Sequence, residues 1–241
     1  MSGSSNIISS TATSDLLADG VPVTVRVSPR ARRMRLKVDT RTRTVLLTIP
    51  RRISRRRALA WAAEHSDWVR QQLAAIPAGE GIAPGMIVPL EGLPHRLDWD
   101  PARPRRIERL DGRIVAGGPI EGLQGRVLRW LKTKAAETLT AETQLYCARA
   151  GVMASKVGVG DPVSRWGSCS STRTIRYSWR LILAPAFVRR ATVAHEVAHL
   201  AHMNHGPDFH ALVETILGAD PRPARLWLRR EGAALHRFGA A

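Results

Sequence analysis

Residues 191–210 read ATVAHEVAHLAHMNHGPDFH, and no other stretch constrains the fold as tightly. His195 and His199 stand four apart. In an α-helix, residues at that spacing lie on one face, one turn apart. Val193, Ala194, Val197, Ala198, Leu200 and Ala201 are apolar at helical spacing, so a buried helix is expected to carry the two imidazoles. Such a pair can offer two nitrogens to one ion. Zinc suits two imidazoles and leaves room for a third ligand and a water. It lowers the pKa of that water to about 7, and Glu196, beside His195, can take the proton during attack. This is the HExxH pattern, with Glu196 as general base and one Zn2+ expected per chain.

His202, His205, His210 and Glu214 compete for the third ligand position. On a continuing helix His202 lies a further turn along and overshoots the ion. His205, six residues after His199, can return to it only if the helix ends between them. Asn204 tolerates a left-handed conformation, and Gly206-Pro207 oppose continuation. The spacing then matches the HExxHxxGxxH arrangement of one zincin group, with His202 in place of the glycine. Glu214 stands on the following helix, where other zincins supply a glutamate. His205 is the preferred ligand of the four.

The rest of the chain is read around this string. No apolar run reaches the ~18 residues that would span a bilayer, so no membrane partner is expected. Residues 1–20 are Ser/Thr-rich, without the basic and apolar regions of a secretory signal, and are expected to form a disordered tail on a cytoplasmic protein. Two cysteines, Cys147 and Cys169, suit a reducing compartment. VPVTVRV, MRLKV and VLLTI alternate as half-buried strands, with a turn at Thr40–Thr44. Residues 54–76 turn helical, with Ser54 as N-cap. Short strands are expected at 87–90, 95–99, 105–110 and 113–116, the last two around an Asp111-Gly112 turn. A long helix over 121–150 precedes strands near 156–159, 164–169 and 174–179. Helices follow from Pro185 to about Met203, at 207–217 and at 221–237. No internal repeat is visible. Strands first and helices later indicate an α+β fold.

Several strings together resemble the YgjP-like metallopeptidase family. They are SRWGSCSSTRTIRYSW (164–179), RLILAP, VAHEVAHLAHMNHGPDFHALV and RLWLRREGAALH. PRARRMRLKVD and TIPRRISRRRALAWAAEHSDWVRQQL extend the likeness to nearly the whole chain after residue 20. A basic, β-rich N-terminal subdomain is expected over 21–118 and a catalytic domain carrying the HExxH helix over 119–241, and the resemblance implies a zincin-like core for the latter. The resemblance also implies His195, His199 and His205 as ligands and Glu196 as catalytic residue, acting on peptide bonds. NHGPDF is also similar to the GHGPEF region of SprT-like DNA–protein crosslink proteases, where that histidine binds zinc. The family usually has an aromatic residue after the phenylalanine; here it is His210.

Trp166–Ser170 would lie as a strand beside the histidine helix and could pair with an extended peptide. Cys169 is expected to pack that strand to the helix rather than to bind metal. Arg165, Tyr177 and His210 are candidates for stabilising an oxyanion. Trp166, expected with Trp179 in the core, joins them as a candidate substrate contact.

Charge poses a separate question. The chain has 241 residues and a formal net charge of +17, with 37 Lys+Arg against 20 Asp+Glu. Only four are lysines, a skew that GC-rich codons can also produce. Thirteen basic residues and one acid, Asp39, fall between Arg26 and Arg57. Arg51, Arg52, Arg55, Arg56 and Arg57 cluster where a helix begins, a place that disfavours cations. They could contact a phosphate backbone, with nucleic acid as partner, or form a solvated surface. Trp61 and Trp68 are expected to be buried, which leaves little for base stacking. Three activities therefore compete. They are a zinc metallopeptidase, a metal-dependent nucleotide phosphoanhydride hydrolase, and a nucleic-acid-associated protein with a zinc site, including a SprT-like DNA-associated protease.

Overall fold

A computed structural model of the chain describes residues 13–16, 20–39, 44–75, 81–162 and 164–240. It divides into two compact units, Met1–Ala78 and Gly79–Ala241, which mix small sheets with helices in an α+β arrangement.

The first unit holds strands β1 (Thr13–Leu16), β2 (Pro22–Val27), β3 (Arg35–Asp39) and β4 (Thr44–Ile49) in one sheet, ordered β1-β2-β4-β3. The alternating strings of 21–49 thus pair as strands, and Val23, Val25, Val45, Leu47 and Ile49 fill their core. Within the expected disordered tail, Thr13–Leu16 instead pair antiparallel with β2. Residues 1–12 and 17–19 lie outside the described residues, as do residues 40–43 of the expected turn.

The helix expected over 54–76 is two helices, α1 (Arg55–Glu64) and α2 (Ser66–Ala74). Ser54 caps the first, accepting from the Arg57 backbone N–H at 3.3 Å. His65 breaks the run. Its ring Nδ1 lies 2.9 Å from the Trp61 carbonyl, while its own N–H donates to Ala62 instead. Trp61 is half-buried, but Trp68 is 41% exposed, contrary to expectation. Val69 and Leu73 take the inward side of α2 in its place.

The second unit opens with β5 (Ile87–Leu90), β6 (Leu93–Asp100), β7 (Ile107–Leu110) and β8 (Arg113–Gly117). Asp111 and Gly112 turn between the last two with φ of 47° and 70°, the left-handed pair a tight hairpin needs. The sheet order is β5-β6-β8-β7. Each four-stranded sheet thus has a parallel central pair and antiparallel outer pairs. Topology repeats here although no repeat is visible in the sequence. Val88, Leu97 and Ile114 of these strands share one core with Val193 and Ala194. The division between units therefore falls before β5, not at the 118/119 boundary expected from the sequence.

Helix α3 (Leu123–Ala150) buries Leu123, Val127, Leu131, Ala135 and Leu139, a stripe spaced by four. Each large member contributes roughly 1.5–3 kcal/mol by leaving water. A three-stranded sheet follows, ordered β10-β11-β9, from β9 (Lys156–Gly160), β10 (Gly167–Cys169) and β11 (Thr174–Ser178). A 3₁₀ turn at Trp179–Ile182 leads into α4 (Ala186–Ala198), then α5 (Pro207–Leu217) and α6 (Arg222–Arg237). Arg189, 3% exposed, fastens α4 to α3 by reaching Glu142 at 2.9 Å. Arg180 donates to the Leu235 and Phe238 carbonyls at 2.6 and 2.7 Å and so holds the end of α6. Among the described residues, no helix is long and apolar enough to cross a membrane.

Candidate metal centre

Helix α4 stops at its C-cap, His199, four residues before the expected Met203. Leu200 and Ala201 donate to Val197 and Ala198, three residues back, so the last turn tightens. The His202 carbonyl is then taken by the His199 ring, whose Nδ1 lies 3.1 Å away. That bond places the proton on Nδ1 and leaves the Nε2 lone pair free. The chain reverses through 203–206, and Pro207 begins α5.

This reversal returns His205 to the helix. Nitrogens of His195, His199 and His205 all lie within 4.8 Å of one another. His205 Nε2 is 3.2 Å from His195 Nε2. Two nitrogens on one tetrahedral zinc, each at about 2.0–2.1 Å, would stand ~3.3 Å apart, so the spacing suits a shared ion. Burial pushes His195 down to about 4, which keeps it neutral and able to donate a lone pair at neutral pH. Burial lowers His199 as well.

Phe209 holds the three rings together. It is 1% exposed, and its ring centroid lies 4.9, 4.6 and 4.6 Å from those of His195, His199 and His205. It was not singled out in the sequence. Its place four residues after His205, at the start of an apolar helix stripe, was the available signal.

Glu196 is 6% exposed. Burial pushes its carboxyl up to about 7, while the nearby Arg165 charge opposes that rise. Gly167 of β10 presses against it. A Cβ at position 167 would come within 2.5 Å of Glu196 Oε1 and 2.7 Å of its Cδ. Gly167→Ala is therefore expected to displace the carboxylate while leaving the histidines in place. A misplacement of about 1 Å can cost roughly 10²-fold in rate, so kcat should fall by about that factor. Turnover and zinc content of the same preparation would check this, and wild-type kcat in the variant would contradict it.

The other expected site residues separate. Trp166 and His210 line the same pocket as His195 and Glu196. Arg165 is exposed. Tyr177 is wholly buried in the core, its hydroxyl 3.0 Å from that of Thr143, and it does not line that pocket. Its side chain alternates inward from β11, which removes it as an oxyanion contact. Cys169 is half-buried on β10, and its thiol engages the Ser170 carbonyl at 3.6 Å. His202 lends its backbone to His199, and Glu214 is exposed on α5.

Arg51, Arg52, Arg55, Arg56 and Arg57 are exposed at the β4–α1 junction of the first unit. Arg55 pairs with Asp15 at 2.6 Å, and Arg52 donates to the Arg32 carbonyl at 3.4 Å. Local partners thus offset part of the crowding at this helix start.

Three imidazoles thus converge beside a buried glutamate, a grouping that could hold a metal ion. The family model described as YgjP-like, metallopeptidase domain, matches residues 32–231. The chain belongs to this YgjP-like family, whose description implies a metal-dependent peptidase. No curated protein and no solved structure matches it.

Proposed function

We propose that the protein is a zinc metallopeptidase with a zincin-like core, in which His195, His199 and His205 hold one Zn2+ and Glu196 is the general base. The convergence of three imidazole nitrogens within 4.8 Å carries this reading. Three histidines would supply the number of protein ligands found in catalytic rather than structural zinc sites. Zinc bound there supplies a Lewis acid that makes water nucleophilic near neutral pH and polarises the substrate carbonyl.

The chain's own groups do the rest. Glu196 accepts a proton from the attacking water at its carboxylate and delivers it to the leaving nitrogen as the C–N bond breaks. The products are a carboxylate and an amine. Buried and pressed by Gly167, that carboxylate is oriented before substrate arrives. β10 lies at the edge of its sheet, beside Glu196, and can accept an extended substrate as an added strand. His210 borders the same pocket and is the better placed of the remaining oxyanion candidates.

A mostly apolar pocket beside the histidines favours a peptide over a nucleotide, since among the described residues Arg225 is the one arginine or lysine that lines it. Offering zinc-loaded protein an unfolded protein and a nucleoside triphosphate side by side tests the choice. New amino termini without phosphate release are expected. Phosphate release abolished by Glu196→Gln, with no new amino termini, would instead assign a phosphoanhydride hydrolase.

A further inference from the structure

A pocket of about 210 Å³ adjoins the histidines, and the hydrolytic step alone does not require it. His195 and Glu196 form its wall on the reacting side. Ala191, Phe209, Val213 and Ala224, each at most 6% exposed, line it from α4, α5 and α6. Trp166 also lines it, and its ring is fixed. The indole stacks on His236 with centroids 4.7 Å apart and lies so close to Gly232 that a Cβ there would meet it at 2.8 Å. The Thr192 hydroxyl is committed to the Val188 carbonyl at 3.0 Å. Arg225 and His210 are exposed and so stand at the mouth.

We infer that this pocket receives the side chain of the substrate residue flanking the scissile bond, and that it selects an apolar chain of leucine to phenylalanine size. The inference rests on the peptidase reading above and adds the substrate class. Size and chemistry carry it. An apolar cavity of about 150 Å³ accepts benzene, so one of 210 Å³ holds an aromatic ring or a branched aliphatic chain. Its depth depends on alanine at 191 and 224, where any larger residue would fill the space. Charged side chains lose hydration on entry among Ala191, Phe209, Val213 and Ala224. Arg225 at the mouth further opposes lysine and arginine.

Cleavage of a mixed peptide library by the zinc-loaded full chain, read by mass spectrometry, tests the inference. Leucine, phenylalanine and methionine should be enriched by about 10-fold or more over alanine, aspartate and lysine at one position next to the cut. Ala224→Leu should shift that preference toward alanine and glycine. Val213→Ala should shift it toward larger rings, and stands independently if the first variant fails to fold. Cleavage indifferent to the flanking residues, or a preference unchanged in both folded variants, would overturn the inference and leave the peptidase reading standing. No cleavage of any peptide by the loaded wild type would overturn that reading, and the inference with it.

Discussion

Glu196→Gln is expected to lower kcat by about 10²–10⁴-fold while the protein keeps its zinc, the range contributed by a positioned general base. The substitution keeps the size and shape of the side chain, so the contact with Gly167 survives. An amide cannot accept the proton that the attacking water must lose. The native carboxyl suits the task, because burial pushes it up to about 7, near the pH at which it would work. None of the three clustered imidazoles is altered, so metal affinity should change little. Initial rates on an unfolded protein substrate, with zinc measured in the same sample, would check both halves. Turnover near the wild-type rate at full zinc would contradict the assignment of Glu196.

Replacement of the histidines should act on the metal itself. His195→Ala, His199→Ala and His205→Ala are each expected to weaken zinc binding by more than the roughly 10–100-fold typical of residues that only orient a ligand. His205→Ala discriminates best, since that residue comes from the loop rather than the helix. His210→Ala and Glu214→Ala should retain zinc. His210 and His205 have ring centroids 6.4 Å apart, and Glu214 is exposed on α5. Titration against a competing chelator separates the two groups of variants. Full affinity in His205→Ala, or loss of zinc in Glu214→Ala, would reassign the third ligand.

Much of the site's geometry was legible in the sequence because it is local. His195, Glu196 and His199 share a helix whose apolar neighbours announce it, and Pro207–Leu217 forms the expected helix. The end of α4 was less legible. Asn204 and Gly206-Pro207 are visible stops, but the helix halts at His199, where the next residues tighten and the ring takes the His202 carbonyl. A side-chain bond of that kind leaves no mark in a hydrophobic pattern. The same holds at His65, whose ring takes the Trp61 carbonyl and breaks an otherwise uniform helical run.

Non-local features were harder still. Tyr177 is in one of the strings that carry the family resemblance, yet β11 turns it into the core. The parallel pairs β2–β4 and β6–β8 cannot be read from alternation, which reports faces and not partners. The pocket gathers Trp166, Ala191, Phe209 and Ala224 from β10's flank and three helices, so no single motif contains it. Gly167 acts by the side chain it lacks, and only its distance to Glu196 reveals this.

In the proposed function one zinc ion, held by His195, His199 and His205, makes this chain a peptidase with Glu196 as its base. Titrating metal-stripped protein with zinc, while following amine release from an unfolded protein substrate, tests this most directly. Release should be absent without zinc, rise with each addition and break at one equivalent per chain. Release from the stripped protein, or no release at one equivalent, would contradict the proposal.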